Sequence, residues 1–309
     1  MISSVWVIVL NWKRPKETIA CLESLKGVRD PGIRIVVVDN GSGDDSVAQL
    51  EAFVKRASAP SFTLLETGSN LGFAGGMNAG MQTALEQGAE WLLVLNNDTV
   101  VDPSFLKTLL EAAKHDPKIG MLNPKILMQE HPDRIWSAGG RINWMRTQGT
   151  HIGYDEPDRG QYDHPPIQDS EYVTGGCLLI RREVIEQIGF LPEAYFVYYE
   201  DGEWSTKAQR AGWRTVVVPG ARIWHKGAAS SGEHSASYIR YHVRNGLLFA
   251  RRTGNPLQVS VAYLWSVPRA VWQVAKLLFM PKRRSWARAI LLGLRDAWVG
   301  RTGFITQSY

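Results

Sequence analysis

Three polar clusters stand at the ends of apolar runs in the N-terminal third of the chain: Leu10-Asn11-Trp12, Val38-Asp39-Asn40-Gly41-Ser42 and Leu95-Asn96-Asn97-Asp98. In open α/β sheets, ligands bind at the carboxyl ends of the strands. A carboxylate there can accept hydrogen bonds from a base or a ribose. One such residue also makes an ordinary turn or helix cap, so Asp39 alone reads equally well as a cap. Three clusters on one sheet edge point to a ligand. Two further groups could carry chemistry. Tyr198-Tyr199-Glu200-Asp201 is an acidic cluster at a helix start, where acids are also favoured by the helix dipole. His225, in Ile223-Trp224-His225, is either a structural imidazole or a metal ligand. The glycine-rich stretch Asn70-Leu71-Gly72-Phe73-Ala74-Gly75-Gly76-Met77-Asn78 opens a helix. Its glycines permit close backbone approach to a phosphate, or simply a tight cap.

The residues after the first apolar run disfavour several classes. A dinucleotide site needs G-x-G-x-x-G there, and the chain has Asn11-Trp12-Lys13-Arg14-Pro15; a P-loop is absent too. Sugar-1-phosphate nucleotidyl transfer would want a glycine-rich loop beside Lys13-Arg14. The two cysteines, Cys21 and Cys177, each sit in an apolar run, which argues against a zinc cluster or a disulfide framework and fits a reducing compartment. The N-terminus lacks the marks of a signal peptide, so the expectation is a cytoplasmic protein.

The elements that must position these residues are set by the hydrophobic pattern. Residues 5–10, 33–38, 62–65 and 91–95 read as buried strands, and helices are expected from Pro15, from about Asp44, over 74–87 and over 103–115. This βαβα order predicts a mostly parallel sheet flanked by helices. Residues 145–170, rich in Gly, Pro, Asp and His, read as a long functional loop. Beyond it the pattern gives a strand over 172–180, a helix over 201–211 and a strand over 215–218.

The remaining stretch differs in charge. From Tyr238 onward the chain carries twelve Lys and Arg against one acid, Asp296, while the rest is net acidic. Two or three helices are expected. Residues 257–280 are apolar but interrupted by Pro268, Arg269, Gln273 and Lys276, which argues against a spanning helix. Trp265, Trp272, Trp286 and Trp298 interleave with the basic residues, a mixture that suits a helix lying in a membrane interface; a second copy of the chain is the other expected partner, and nucleic acid is not.

Taken together, the clusters resemble the family 2 inverting glycosyltransferases, especially the bacterial rhamnosyltransferase-like branch. The matching stretches are the Asp39 and Asn70–Asn78 segments, Leu95-Asn96-Asn97-Asp98-Thr99, Thr174-Gly175-Gly176-Cys177-Leu178-Leu179-Ile180-Arg181-Arg182, Tyr198-Tyr199-Glu200-Asp201 and His225, in the family's order over residues 5–252. The resemblance implies a GT-A fold over residues 1–237, with a nucleotide-binding half to about residue 100 and an acceptor half after it. Residues 238–309 form a helical, basic, amphipathic appendage that meets an anionic membrane surface or a homodimer partner, making the protein peripheral on the inner face of the cytoplasmic membrane. It also implies that a nucleoside-diphosphate sugar, dTDP-rhamnose before UDP-sugars, meets Asn11, Asp39, Asn40, Asn70, Gly72, Asn78, Asn96 and Asn97. Asp98 and His225 would hold Mg2+ or Mn2+, Asp201 would be the base with Glu200 as the other candidate, and the acceptor would be a cell-surface glycan or a lipid-linked sugar. The family's D-x-D carboxylates are reduced here to Asp98 alone. That departure is what a catalytically weak membrane scaffold of the same fold would also present.

Overall fold

The computed structural model describes residues 4–28, 32–57, 60–227 and 235–305. The chain begins with β1 (Val5–Asn11), α1 (Pro15–Leu25), β2 (Arg34–Asp39), α2 (Ser46–Arg56), β3 (Ser61–Glu66), α3 (Gly72–Glu86) and β4 (Trp91–Asn96). β1 lies between β2 and β4, and β2 pairs β3, all in parallel. β1, β2 and β4 are apolar on both faces because helices cover both: in β1 the side chains of Val5, Val7 and Val9 pack with Cys21, Leu22 and Leu25 of α1, and those of Trp6 and Ile8 with Ala74, Met77 and Met81 of α3.

The chain continues through β5 (Thr99–Val101), α4 (Phe105–Ala113), β6 (Ile119–Met128), β7 (Ile135–Ser137), β8 (Gly140–Asn143), β9 (Gln148–His151), β10 (Gln168–Asp169), β11 (Cys177–Arg181), α5 (Arg182–Ile188), a 3-10 turn (Glu193–Tyr195), α6 (Glu200–Arg210) and β12 (Arg214–His225). Among the described residues the main sheet runs β10-β12-β6-β11-β4-β1-β2-β3, with β5 on β12 and β7 on β6. β11 is reversed between β4 and β6, and parallel pairing resumes between β6 and β12. The expected strand over 172–180 is therefore shorter. Residues 173 and 174 leave the ladder because side chains take their amides: Val173 donates to the Ser205 hydroxyl at 3.1 Å and Thr174 to the Asn123 carboxamide oxygen at 2.6 Å. The long polar stretch from residue 145 is not featureless; it supplies β9, which forms a hairpin with β8, and β10 at the sheet edge.

Three helices close the chain: α7 (Ala236–Thr253), α8 (Pro256–Phe279) and α9 (Arg284–Trp298). Val243, Leu247, Ala250, Ala262, Leu294 and Ala297 form their shared core. Pro268 does not interrupt α8, which starts with a capping box between Asn255 and Gln258. No helix among the described residues is long and apolar enough to cross a membrane.

Candidate active site

Parallel register brings the polar strand ends together. Asn11 lies opposite Asp39 and Leu10 opposite Asn96, so the carboxyl ends of β1, β2 and β4 share one edge. Side chains join them in a continuous chain of hydrogen bonds. Asn97 Nδ2 donates to Thr18 Oγ1 at 2.9 Å, Thr18 donates to Asn11 Oδ1 at 2.8 Å, and Asn11 Nδ2 donates to Asp39 Oδ1 at 2.7 Å. Ser42 closes the chain with its hydroxyl on Asp39 Oδ1 at 2.6 Å and its amide on Oδ2 at 3.0 Å. Asn11 and Asp39 are buried, whereas Asn96, Asn97 and Asp98 stay half-exposed at the lip.

Asn40 and Asn70 shape the neighbouring wall. Asn40 Nδ2 donates to Asn70 Oδ1 at 3.2 Å and to the Gly72 carbonyl at 3.0 Å, while Asn70 Oδ1 accepts the Gly72 amide at 2.8 Å. The glycines here serve packing. A β-carbon on Gly72, whose φ is +76°, would lie 2.4 Å from the Phe196 carbonyl, and one on Gly76 would lie 2.5 Å from Leu10 Cδ1. Asn78 is not brought to the strand edge. Its carboxamide donates to the Leu191 carbonyl and to Glu193 Oε1, each at 2.9 Å, and accepts the Leu191 amide at 3.0 Å. It pins α3 to the segment ahead of the acidic pair.

Asp98 and His225 do meet. β12 ends by pairing His225 with Thr99, which sets His225 Nε2 at 3.0 Å from Asp98 Oδ1 and 3.2 Å from Asn96 Nδ2. The Asp98 carbonyl accepts the Lys226 amide at 2.9 Å. His225 Nδ1 is buried without a partner, and the Trp136 ring stands edge-on to the imidazole with centroids 4.6 Å apart. The described residues hold no group of three or more His, Cys, Asp or Glu able to bind a metal by themselves.

Glu200 and Asp201 open α6. Two consecutive glycines tie them to the strand edge. The Gly176 carbonyl accepts the Asn96 amide at 3.0 Å, and the Gly175 amide donates to Asp201 Oδ2 at 3.1 Å. Asp201 Oδ1 also accepts the Gly202 amide at 2.8 Å. Burial pushes both carboxyls above their ordinary values, and Asp201 pushes Glu200 further. The two are not equivalent. Asp201 receives backbone N–H groups that favour its anion, whereas Glu200 Oε2 is buried without a partner. The hydrogen bonds thus favour the anion at Asp201, whereas nothing offsets burial at Glu200.

A family model described as Glycosyl transferase family 2 matches residues 4–189. The chain belongs to that family. It is 29% identical over 245 residues to the N-acetylglucosaminyl-diphospho-decaprenol L-rhamnosyltransferase of Mycobacterium tuberculosis, covering 74% of this chain and 78% of that protein. It is 24% identical over 272 residues to the dTDP-rhamnosyl transferase RfbF of Shigella flexneri, covering 84% of each. It is 25% identical over 310 residues to the low-salt glycan biosynthesis hexosyltransferase Agl10 of Haloferax volcanii, covering 98% and 94%. The mannosyltransferase PcManGT from Pyrobaculum calidifontis, solved with GDP-Man and Mn2+, shares the fold with a TM-score of 0.61 at 17% identity, covering 97% of this chain and 87% of that one. The protein is thus a glycosyltransferase of family 2 with the GT-A fold, and this selects glycosyl transfer over the nucleotidyl-transfer reading.

Within the family 2 frame, some residues at the site carry no sequence signal of their own. Thr18 and Ser42 bridge the strand ends, and Gly175 donates to Asp201. Ser42 stands in one of the polar clusters, but Thr18 belongs to no motif. Its one clue is its place one turn into the helix after β1, where a side chain can turn back toward the strand end. The family match ends before Glu200, Asp201 and His225, so those residues rest on geometry.

Proposed function

We propose that the protein transfers rhamnose from dTDP-rhamnose to a hydroxyl of a lipid-linked or cell-surface glycan, with inversion at the anomeric carbon. The observation that carries this reading is the short bridge from Asn96 through Gly176 and Gly175 to Asp201, which sets the Asp201 carboxyl beside the edge where a nucleotide would lie. The rhamnosyl donor and the diphospholipid acceptor are supported by the names of the Mycobacterium and Shigella relatives.

In this reading the base and ribose lie against the edge formed by Asn11, Asp39, Asn40 and Asn70, with Asn96 and Asn97 at its lip. The residues present fit a divalent cation of the kind a nucleotide brings with it. Asp98 and His225 would hold it with one carboxylate and one imidazole, a donor pair open to Mg2+ or Mn2+. When bound, such an ion would supply positive charge to offset that of the departing diphosphate. Asp201 takes the proton of the acceptor hydroxyl as its oxygen attacks the anomeric carbon, and the bond to the diphosphate breaks with its electron pair. One displacement inverts that carbon. Glu200, uncharged, spares Asp201 a second negative neighbour.

The catalytic unit is proposed to span residues 1–237, with 238–309 turned toward a membrane that carries the acceptor. Thermal denaturation with dTDP, UDP, GDP, CDP and NAD, each with and without Mn2+, tests the donor. Stabilisation by dTDP only when Mn2+ is present is expected; stabilisation by UDP instead would move the donor to a UDP-sugar. Release of dTDP from dTDP-rhamnose on adding an N-acetylglucosaminyl-diphospho-lipid tests the acceptor, and unaltered release would rule that acceptor out.

A further inference from the structure

The backbone that delivers Asp201 takes a course that side chains other than glycine rarely adopt. Phe196, Tyr198 and Tyr199 have φ values of +68°, +68° and +77°, three left-handed residues immediately ahead of Glu200. Such a course persists only where surrounding contacts impose it. On one side, the Phe73 amide of α3 donates to the Phe196 carbonyl at 2.7 Å. On the other, α7 supplies a single carboxamide. Asn245 Nδ2 donates to the carbonyls of Val197 at 2.7 Å, Tyr198 at 3.0 Å and Tyr195 at 3.3 Å. Asn245 Oδ1 accepts Arg244 Nε at 2.8 Å, which fixes which end of the carboxamide faces the loop. Arg244 in turn donates to the Tyr195 carbonyl and the Gly303 carbonyl, each at 2.7 Å. Both side chains are fully buried. Gly246 lets the helix come this close: a β-carbon there would lie 2.8 Å from the Thr147 carbonyl and 3.2 Å from the Tyr199 hydroxyl.

We propose that Asn245, oriented by Arg244, is a positioning residue that holds residues 196–199, three of them left-handed, in their course and thereby aims Asp201. It touches no reacting atom. The proposal rests on the reading of Asp201 as the base. It makes α7, which lies beyond the matched family segment, a working part of the transfer site and not only the start of an appendage. A carboxamide suits the task because its two N–H groups can serve several carbonyls while its oxygen is read by a neighbour. Aspartate would turn an acceptor toward three acceptors, and alanine would leave the three carbonyls without their donor.

The test uses the full chain with N245A, N245S and D201N, and two independent measurements. Amide hydrogen exchange is measured across residues 196–203 and, as a reference, across β1 to β4. Turnover of dTDP-rhamnose with the diphospholipid acceptor is expressed per dTDP-binding site, so that misfolded molecules do not count. For N245A the expected result is at least tenfold faster exchange in residues 196–203 with β1 to β4 unchanged. A tenfold or larger fall in kcat should accompany it, with the KM for donor within twofold. N245S, which keeps one donor in a smaller volume, should fall between wild type and N245A and carries the test if N245A does not fold. A residue that merely stabilised the fold would change the number of binding sites and not kcat per site. Unchanged exchange in residues 196–203, or kcat per site within twofold of wild type, would overturn the proposal. Persistence of transfer in D201N would instead overturn the base assignment, and the exchange measurement would still decide whether Asn245 holds the loop.

Discussion

Asp201 and Glu200 are neighbours in sequence and opposites in chemistry, and the difference comes from what reaches each one. Two amides, from Gly175 and Gly202, stabilise the Asp201 anion, while Glu200 has a buried oxygen that nothing meets. Asp201→Asn should therefore lower kcat by about 10²–10⁴-fold, the usual contribution of a general base, with metal-dependent dTDP affinity retained. Steady-state kinetics beside calorimetric titration separates the two, and a Glu200→Gln loss as large as that of Asp201→Asn would shift the assignment. Glu200 also makes a claim about stability. Its folded pKa is raised, so the folded state holds its proton more tightly than the unfolded chain does, and wild-type stability falls as pH rises above the ordinary carboxylate range. Gln cannot ionise. The melting temperature of Glu200→Gln relative to wild type should therefore climb between about pH 5 and pH 8, starting from the ordinary Glu value of about 4.3. A constant difference across that range would mean that Glu200 is not protonated in the fold. At the donor edge, Asp98→Ala should weaken dTDP binding in Mn2+ about tenfold or more and leave metal-free binding unchanged, because the carboxylate is argued to act only through the ion. Binding isotherms with and without Mn2+ decide it.

The same edge marks how far residues are legible without coordinates. Asn11, Asp39 and Asn96 are legible because each ends an apolar run, and parallel pairing aligns such ends. Thr18 is not, because its contact with Asn11 depends on the phase of α1 against β1. The contact of Asn78 with the Leu191 and Glu193 segment is not legible for a related reason: a carboxamide in a glycine-rich stretch has the same sequence signature whether it meets a ligand or another part of the chain.

At the scale of elements, the first four strands and their helices are direct consequences of hydrophobic runs and the Pro15 start, whereas the second half of the sheet is not. β6 contains Pro124, which reads as a break, and β12 continues through Pro219-Gly220 with a shift of register between Val218 and Arg222. Both interruptions are absorbed because these strands pair each other over nearly their whole length. An acid also changes meaning at this scale. Glu203, which in sequence is a third carboxylate near the active pair, joins α6 to α7. Its carboxylate accepts the Tyr195 hydroxyl at 2.7 Å, Arg252 Nη2 at 2.8 Å and Lys207 Nζ at 2.8 Å, and is itself 1% exposed. Burial alone would raise its pKa; the hydrogen bonds from Arg252, Lys207 and Tyr195 outweigh burial and lower it. A lowered folded pKa means that the stability it contributes is present above the unfolded value of about 4.3 and is lost as pH falls through the folded pKa. Glu203→Gln should cost about 2 kcal/mol at pH 7, below the usual figure for a broken buried pair because Arg252 and Lys207 reach solvent. That cost should shrink as pH falls below about 4. Urea denaturation at pH 7 and at about pH 3, below the unfolded carboxylate value, checks both, and an equal cost at the two pH values would remove the ion pairs from the account.

Across the whole molecule, charge and apolar exposure concentrate on one structure. α8 buries only a narrow stripe, Ala262, Ser266 and Gln273, against its neighbours. Leu257, Leu264, Val271, Leu278 and Phe279 are each more than 60% exposed, and Trp265, Trp272, Trp286 and Trp298 are more than half exposed. So many large apolar side chains on one helical hairpin are unusual for a surface that faces only water. The cations beside them, Lys276, Lys282, Arg283, Arg284 and Arg288, have no carboxylate on these helices to pair with, since Asp296 is buried and bonded to Arg240 and Arg301. An apolar face set in unbalanced positive charge is complementary to an anionic bilayer, whereas a second copy of the same surface would bring like charges together. The protein should therefore float with vesicles containing anionic lipid and much less with zwitterionic ones, and binding should weaken as salt rises. Replacing Lys282, Arg283 and Arg284 by Glu should reduce anionic-vesicle binding at least tenfold, roughly the contribution of removing several cations at about 1 kcal/mol each. Transfer to a water-soluble acceptor analogue should persist in that variant, because the segment ahead of Glu200 and Asp201 is held by α3 and α7, not by residues 282–284. Vesicle binding that ignores lipid charge, or a concentration-dependent dimer by light scattering that the substitution abolishes, would assign the surface to a partner chain instead.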